Sequence, residues 1–500
     1  MLTLPMLLLS LFALGILLID LILPEQWKPV NAFTALAGIA FSAAAVGKLH
    51  LAYRVAEQHG GVVSDFTGFM GTLVVDRFAI YFFYLFLVGA AIAILMSIQY
   101  LEIERENHGE FYALILFSVV GMMCMAAGYD IVLLFIGLEL MAISTYVLVG
   151  FLRRDKRSNE AALKYLLLGA FSSGLFAYGL SLFYGVTGST NLGLIARNLQ
   201  GTMATRPHDP VVAFALLTTT VGVLFKIAAV PFHQWAPDAY EGAPTSVTGF
   251  MSVAVKAAGW ALLLRIFLFG LSPLRPMYVP LLIFVAIATM TVGNLAAISQ
   301  NNLKRLLAYS SIAHVGYMLL GLVASDGVNN STGIMAIMIY LLVYTFMNLG
   351  AFAVITSLRR CSIIGDEIDD IAGLYFKAPA ETMLMLMFLL SLAGIPPLAG
   401  FWGKYFIFLS LIQTGHYILA SLAVLYAVIG LYYYMRVASA MMVRPAADGE
   451  PVSVGPAMGL ALLVTAAGTI GIGMFPNFFI NAVNWSLGLA QGTHMAVVLR

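Results

Sequence analysis

The sequence predicts an all-α polytopic membrane protein with about fourteen transmembrane helices. Of its 500 residues, 61% are hydrophobic and 10% are charged, whereas soluble globular proteins average about 25% charged residues. Apolar runs recur along the whole chain, and about 20 apolar residues suffice for a helix to cross the bilayer. The first run, MLTLPMLLLSLFALGILLIDLILP, lacks the basic start of a signal peptide, so we expect it to be retained as a helix.

The predicted spans and the charges of the loops between them indicate an orientation. The spans are 3–23, 30–50, 77–100, 110–128, 131–151, 160–186, 211–236, 245–270, 277–299, 304–323, 332–357, 380–412, 416–440 and 456–482. Lysine and arginine are concentrated in loops on one side, most clearly in RRDKR at 153–157 and in the arginine pair at 359–360. Because such loops face the cytoplasm, both termini are predicted on the external, periplasmic side of a bacterial inner membrane.

Composition excludes several functions for this chain. The formal net charge is +1, so we expect no nucleic-acid partner. Cys124 and Cys361 are the only cysteines, whereas an iron–sulfur cluster needs about four thiolates. The sequence has neither a P-loop nor a dinucleotide-binding glycine motif. We therefore expect no metal and no cofactor in this chain.

Lys48 and Lys304 lie at the ends of their spans and are counted with the loop charges, Lys304 on the cytoplasmic side. Four other lysines lie inside the apolar spans, namely Lys164, Lys226, Lys256 and Lys404. A lysine at the bilayer centre costs about 2.5–3.5 kcal/mol on insertion scales, so these side chains should face the interior of the bundle. Lys226 and Lys256 are about 15 Å from an interface at 1.5 Å per residue. Lys164 lies early in its span, and its amine could instead reach the interface along a flexible stem.

Glu139 is the matching anion, in the middle of the span 131–151. An unpaired carboxylate at that depth would take up a proton, whereas a carboxylate beside a buried ammonium group stays charged. A buried glutamate among buried lysines therefore indicates a proton site, in which moving one charge changes the proton affinity of the other. A structural ion pair between two helices would produce the same pattern.

Two spans contain proline breaks. Pro231 interrupts the seventh span, and Pro396 and Pro397 interrupt the twelfth, where they leave the carbonyls of Leu392 and Ala393 without a helical donor. Free carbonyls at membrane depth are tolerated where they line a cavity or bind water. Each broken span also has a lysine and a nearby tryptophan, a pattern that predicts two inverted repeats.

The expected divisions of the chain follow from these breaks. They are the N-terminal helices in 1–109, a first repeat of five helices in 110–270, a second in 277–440 and a last helix in 456–482. Polar side chains at helical spacing could relay protons between the buried lysines. These candidates are His233, Ser310, His314, Tyr317, Tyr340, Tyr344 and Asn348. A lone histidine in a helix is more often structural, but one among buried lysine, serine and tyrosine side chains is typical of a relay.

Two segments resemble the signatures of a known family. LFKIAAVPFHQWAPDAYEGAPTSVTGFMSVAVKAAG and NNLKRLLAYSSIAHVGYMLLG are similar to segments of the antiporter-like subunits of proton-pumping NADH:quinone oxidoreductase, respiratory complex I. HQWAPDAYEGAP is most similar to the subunit N, or subunit 2, branch of that family. The resemblance covers nearly the whole chain and implies two inverted five-helix repeats with helices seven and twelve broken.

The resemblance also implies residue roles. The proton-translocating residues of the family map onto Glu139, Lys164, Lys226, His233, Lys256, His314 and Lys404. Among them, Lys164 would be the functional partner of Glu139. The chain would be a proton-moving subunit of an H⁺-translocating enzyme, beside sibling antiporter-like subunits in the membrane. FMN, iron–sulfur clusters and quinone would belong to partner subunits.

Three other functions fit the same features. A stand-alone cation/proton antiporter would share the buried charges and broken helices, but it would be active when purified alone. The equivalent subunit of a ferredoxin-linked photosynthetic complex has a very similar signature segment. A structural scaffold would tolerate neutralisation of the buried charges.

Overall fold

The computed structural model describes residues 1–58, 66–325, 331–359, 366–443 and 454–488. Arg360 and Cys361, which contributed to the sequence arguments, lie outside these ranges. The described residues are mainly helical. The helices of the first half are α1 Leu4–Asp20, α2 Val30–Gln58, α3 Arg77–Glu104, α4 Gly109–Ala127, α5 Ile131–Val149, α6 Lys156–Thr187, α7 Leu192–Thr205, α8 Pro210–Ile227 and α9 Trp235–Gly242.

The span 245–270 is continuous but not uniformly α-helical. It consists of α10 Thr245–Phe250, a π-helical turn Met251–Val255, α11 Lys256–Leu264 and a second π-helical turn Arg265–Gly270. Such π-helical turns are rare and frequently occur at functional sites. Lys256 directly follows the first of them, so a buried lysine lies at a local distortion of this helix.

The remaining helices complete the bundle. They are α12 Arg275–Ser299, α13 Leu303–Val323, α14 Thr332–Arg359, α15 Pro379–Ala393, α16 Ala399–Gln413, α17 Tyr417–Val443, α18 Pro456–Met474 and α19 Pro476–Ser486. Within the described ranges, twelve helical segments are long and apolar enough to cross a membrane, and α1 and α15 are shorter apolar helices. With α15 and α16 taken as one broken span, each predicted span coincides with helical structure, and the predicted fold class is confirmed.

Two elements occur where the sequence indicated only connections. Helix α7 lies in the segment 187–210 and buries Leu192, Ile195 and Leu199 along one side, with Asn191 accepting hydrogen bonds at its start. A two-stranded antiparallel hairpin, β1 Thr67–Gly68 and β2 Leu73–Val74, lies before α3. Both were missed because neither is long or apolar enough to resemble a membrane span.

The packing of helices repeats in the two halves. Helix α4 packs on α5 as α12 packs on α13, and α6 packs on both α8 and α9 as α14 packs on both α15 and α16. The breaks also correspond, because α8 ends before Ala228 with a left-handed φ of 60° and α15 ends before Gly394 with a φ of 90°. This correspondence supports the two-repeat fold. The lysines differ, however, since Lys226 precedes its break and Lys404 follows its own.

A buried ion pair closes the far end of the span 245–270. The guanidinium of Arg265 donates from Nη1 and Nη2 to Asp76 at 2.8 and 2.6 Å, and its Nε donates to the carbonyl of Ala126 at 2.8 Å. It also lies 4.6 Å from the ring centroid of Phe78 and 5.3 Å from that of Phe269. This bidentate geometry ties three helices together and leaves Arg265 fixed.

Candidate functional site

Lys226 lies in the last turn of α8 and is 2% exposed. Its Nζ has no hydrogen-bond partner among the described residues. Instead it lies 5.3 Å from the ring centroid of Tyr146 and 5.8 Å from that of Tyr165. Each aromatic face stabilises a desolvated cation by about 2 kcal/mol in favourable cases. The amine is therefore enclosed without being bound in one fixed geometry.

Glu139 is half-buried on α5, and its Oε1 is buried without a hydrogen-bond partner in the described structure. It interacts electrostatically with Lys226, but the pair is not among the direct ion pairs of the described residues. Glu139 lies on the same face of α5 as the exposed side chains of Val132, Ile136 and Ile143. It therefore lies between the interior charge and the outer surface of the bundle.

The first break is held by protein groups. Trp235 donates from Nε1 to the carbonyl of Phe225 at 2.8 Å, and its ring stacks on Tyr165 with centroids 4.4 Å apart. The backbone amide of Val230 donates to Oγ1 of Thr289 on α12 at 3.1 Å. At least one carbonyl beside Lys226 is thus occupied by a side chain of this protein.

Lys164 is placed differently from what the resemblance implies. Its Nζ lies 2.8 Å from Oε1 of Glu160 and 3.0 Å from Oδ2 of Asp238, and its side chain is 47% exposed. The structure therefore pairs Lys164 with these two carboxylates and not with Glu139. The long, flexible stem of Lys164 carries the amine along the helix surface to these two carboxylates. Asp238 is shared with Arg305 at 2.8 Å.

Lys256 is buried in the middle of the bundle. Its Nζ donates to Oγ of Ser311 on α13 at 2.5 Å and lies 5.5 Å from the ring centroid of Tyr240. Ser311 is itself buried. The bond joins the π-distorted helix of the first repeat to a helix of the second, so Lys256 lies at the contact between the repeats.

His314 is the centre of a buried hydrogen-bond cluster. Its Nδ1 lies 2.5 Å from the hydroxyl of Tyr340, and its Nε2 lies 3.1 Å from that of Tyr434. The hydroxyl of Tyr434 is in turn 2.5 Å from Oγ of Ser310. Each partner can both donate and accept, so the imidazole and hydroxyls can exchange donor and acceptor roles along the cluster. His314 interacts electrostatically with both Lys404 and Lys256.

Lys404 occupies the second break. Its Nζ donates to the carbonyls of Leu392 at 3.0 Å and Ala393 at 2.7 Å. These are the two carbonyls that Pro396 and Pro397 deprive of helical donors. The amine also lies 5.4 Å from the ring centroid of Tyr317. The freed carbonyls therefore bind the lysine directly.

The other predicted relay residues are distributed around these sites. Tyr344 places its ring 5.2 Å from that of His314, and Asn348 donates to Oγ of Ser252 at 2.7 Å. His233 lies in the break after α8, half-buried, and its Nδ1 has no partner among the described residues. The hydrogen bonds described above therefore do not include His233.

Sequence reasoning missed the aromatic and hydroxyl partners on other helices. Tyr146 and Tyr165 enclose Lys226, Ser311 binds Lys256, and Tyr434 connects Ser310 with His314. A signal was present for Tyr434 in the polar-tipped run LYYYMR within an apolar span. For the others, nothing local distinguishes them from core residues.

The arrangement is suited to moving protons. Lysine, histidine, tyrosine and serine all bind and release protons or pass them along hydrogen bonds. In the described part of the chain, no group of three or more His, Cys, Asp or Glu residues is placed to hold a metal ion.

The chain resembles known proteins along its whole length. Residues 128–430 match the family model described as NADH:quinone oxidoreductase/Mrp antiporter, TM. A relative from Koribacter versatilis, NADH-quinone oxidoreductase subunit N 1, is 68% identical over 100% of this chain and 98% of its own. Subunit N 2 from Solibacter usitatus is 53% identical over 97% and 96% of the two chains.

Solved structures show the same fold. A chain of respiratory complex I from Thermus thermophilus with bound aureothin is 31% identical, with a TM-score of 0.76. The match covers 96% of this chain and 99% of that one.

Proposed function

The chain belongs to the family of NADH-quinone oxidoreductase subunit N, and on that basis we propose that it is a proton-translocating membrane subunit of an NADH:quinone oxidoreductase. Its part in the enzyme is to carry protons across the bilayer while other subunits transfer electrons. FMN, iron–sulfur clusters and quinone belong to those partners, and sibling antiporter-like subunits are its neighbours in the membrane.

The observation that carries the proposal is the series of buried proton-exchanging groups from Lys256 to Lys404. Lys256 binds Ser311, His314 binds Tyr340 and Tyr434, and Lys404 binds the carbonyls at the second break. Burial of these polar groups costs free energy unless they are paired or functional, so a purely structural core would replace most of them with apolar side chains. A series of exchangeable groups buried within the bundle is what a lateral proton route needs.

Each group has a defined step in this route. Lys256 as ammonium passes a proton to the Ser311 hydroxyl, which releases its own proton onward. The His314 imidazole accepts a proton on one ring nitrogen and releases one from the other, through the hydroxyls of Tyr340 and Tyr434. Lys404 receives the proton last, and its ammonium is stabilised by the freed carbonyls. The hydroxyls are unchanged after each transfer.

The first repeat supplies a second, looser site. The carboxylate of Glu139 attracts the ammonium group of Lys226. A change in the charge of either residue therefore changes the proton affinity of the other. We include Lys164 through its pairing with Asp238 and Glu160, and His233 through its position in the break. Pro231, Pro396 and Pro397 contribute by opening the helices at these lysines.

The same proposal assigns the domains and the orientation. The first and second repeats occupy 110–270 and 277–440, between N-terminal helices in 1–109 and a last helix in 456–482. The chain is a multi-pass protein of the bacterial inner membrane with both termini on the periplasmic side, as the positive loops indicate.

Replacement of His314 by glutamine tests the proposal. Glutamine preserves hydrogen bonding but does not exchange a proton, so we expect NADH-driven proton uptake in membrane vesicles to fall about ten-fold. The matched control is His208→Gln in an exposed connection. Assembly is checked on a native gel. Uptake equal to that of the control in an assembled complex would contradict the proposal.

Purification tests the assignment to a complex. Mild detergent extraction should yield the chain together with NADH-oxidising partner subunits. If the isolated chain, reconstituted alone into liposomes, exchanged cations for protons, the chain would instead be a stand-alone antiporter.

A further inference from the structure

Lys304 is a buried lysine that the route described above does not use. The sequence places it at the start of a span, where it counted among the cytoplasmic loop charges. In the structure it is the second residue of α13 and is 2% exposed. Its Nζ lies 3.3 Å from the carbonyl of Ala243 and 3.9 Å from Oδ2 of Asp366. Both contacts are long, so the amine is buried but weakly bound.

The surroundings of Lys304 connect it with the membrane surface. Its amine interacts electrostatically with Asp366 and, more weakly, with Arg359, Glu241 and Asp155. The side chain of Asp366 is 14% exposed, so its carboxylate is accessible to solvent on one side and adjacent to Lys304 on the other. Lys304 therefore stands between a solvent-accessible acid and the interior.

A stripe of hydroxyl groups leads inward from Lys304. Ala243, which it contacts, lies two residues before the span 245–270. Within that span Thr245, Thr248, Ser252 and Lys256 recur every three or four residues and so share one helix face. From Thr245 to Lys256 this hydroxyl stripe is about 16 Å long at 1.5 Å per residue.

The hydroxyl stripe retains unused hydrogen-bonding capacity. Oγ1 of Thr245 and Oγ of the adjacent Ser246 are buried without partners in the described residues. Oγ of Ser252 accepts from Asn348, whose own Oδ1 is buried and unpartnered in the same part of the structure. Thr248 and Ser252 donate to the carbonyls of Tyr240 at 2.9 Å and Gly249 at 2.7 Å, so their oxygens remain able to accept a further hydrogen bond. Buried polar groups with free capacity are costly and provide places for water and protons.

The opposite end of the same helix has no such stripe. Beyond Lys256 the helix continues with Ala257–Leu264, which contain no hydroxyl or ionisable side chain, and reaches Arg265 in its bidentate ion pair with Asp76. An arginine does not release its proton in a protein. Along this helix, therefore, the polar connection from Lys256 runs toward Lys304 and not toward Arg265.

We propose that Lys304 loads protons into the hydroxyl stripe that supplies Lys256. A proton passes from the carboxyl group of Asp366 to the neutral amine of Lys304. The resulting ammonium gives a proton to the stripe, each hydroxyl takes up one proton and releases another, and Lys256 receives the last. This inference rests on the proposed function and names the group by which protons reach its route.

A structural role for Lys304 makes a different prediction. Ala243 is the C-cap residue of α9, and an ammonium group at a helix C-terminus is stabilising. If that were its whole function, any fixed cation would suffice. Lys304→Arg preserves the cation but not the proton exchange, and Lys304→Met removes both.

The experiment measures NADH-driven proton uptake in vesicles containing the whole complex, with assembly checked on a native gel. We expect Lys304→Arg and Lys304→Met to lower the rate alike, about ten-fold. The slowed step should also give both variants a larger ratio of rates in H₂O and D₂O than the parent, which a packing defect would not. The controls are Lys28→Arg, a loop lysine paired with Asp20, and Ser97→Ala, a buried hydroxyl on α3.

Parental uptake in Lys304→Arg would overturn the inference, as would a slow Lys304→Arg with an unchanged isotope ratio. If Lys304→Met prevented assembly, Lys304→Arg and Asp366→Asn would decide in the same way. Failure of this inference remains separable from failure of the proposed function. If only this inference fails, His314→Gln still lowers uptake while Lys304→Arg does not. If the proposed function fails, neither His314→Gln nor Lys304→Arg lowers uptake.

Discussion

The two broken helices have similar architecture, but their lysines have different hydrogen-bond partners. At the second break the ammonium of Lys404 is bound by the carbonyls of Leu392 and Ala393, which the prolines leave free. At the first break Lys226 has no hydrogen bond among the described residues, and the carbonyl of Phe225 is taken by Trp235. The position of the lysine relative to the break accounts for the difference. A lysine that follows the break can reach back to the freed carbonyls of the preceding half-helix.

The comparison indicates two kinds of proton site. Hydrogen bonds to a charged group contribute about 1.5–3 kcal/mol each, so the carbonyls at the second break favour a charged Lys404. Around Lys226 the attraction comes from aromatic rings and from Glu139 without a direct ion pair. The two breaks therefore stabilise an ammonium group by different means, through carbonyl hydrogen bonds at Lys404 and through aromatic rings and a nearby carboxylate at Lys226.

Lys404→Ala should give the largest effect. The substitution removes a proton-exchanging group and also leaves two buried carbonyls unpaired. We expect NADH-driven proton uptake in vesicles to fall about ten-fold.

Arg436→Ala is the control for Lys404. Arg436 also binds carbonyls, those of Ile298 at 2.8 Å and Gln300, but it does so at the end of α12. It should therefore affect assembly more than uptake per assembled complex. Equal losses of uptake in the two variants would mean that Lys404 is a structural charge.

Glu139→Gln should give an intermediate effect, confined to the looser site. Glutamine is nearly isosteric but removes the charge that favours a proton on Lys226. We expect the complex to assemble and uptake coupled to quinone reduction to fall about five-fold, equivalent to about 1 kcal/mol of lost interaction. Normal uptake in vesicles containing the full-length variant would show that Glu139 does not control the site.

Tyr434→Phe should give the smallest effect. The ring keeps its packing, but the hydroxyl that lies between Ser310 and His314 is lost. Since Nδ1 of His314 still contacts Tyr340, we expect about a two-fold reduction in uptake, equivalent to about 0.4 kcal/mol. Tyr432→Phe, on the same helix but 60% exposed, serves as the control. A loss as large as that of Lys404→Ala would mean that the cluster has no second path.

The features that were predictable from sequence depend on local chemistry. Apolar length determines the spans, and the missing N–H of Pro396 and Pro397 determines that the carbonyls of Leu392 and Ala393 lose their donors. The burial of Lys226 and Lys256 followed from their depth within apolar segments. These conclusions need no knowledge of how the helices are arranged.

The features that were missed depend on contacts between helices. Whether Lys164 meets Glu139 or Asp238, and whether Tyr434 reaches His314, depends on the rotation and separation of packed helices. Lys304 was assigned to a loop because it begins its span, yet it is buried and its Nζ lies 3.9 Å from Oδ2 of Asp366. Hydropathy alone does not reveal that a residue at the end of a span is buried by another segment. It also does not identify a short helix such as α7.

The most direct test of a proton-carrying role for the buried lysines is Lys226→Arg beside Lys226→Ala. Arginine keeps the positive charge near Glu139 but does not release a proton. NADH-driven proton uptake and quinone reductase rate are measured in vesicles with equal amounts of assembled complex. The account predicts that both variants lose uptake to a similar extent. Uptake near the parental level in Lys226→Arg, together with a strong loss in Lys226→Ala, would contradict it and leave Lys226 as a fixed charge.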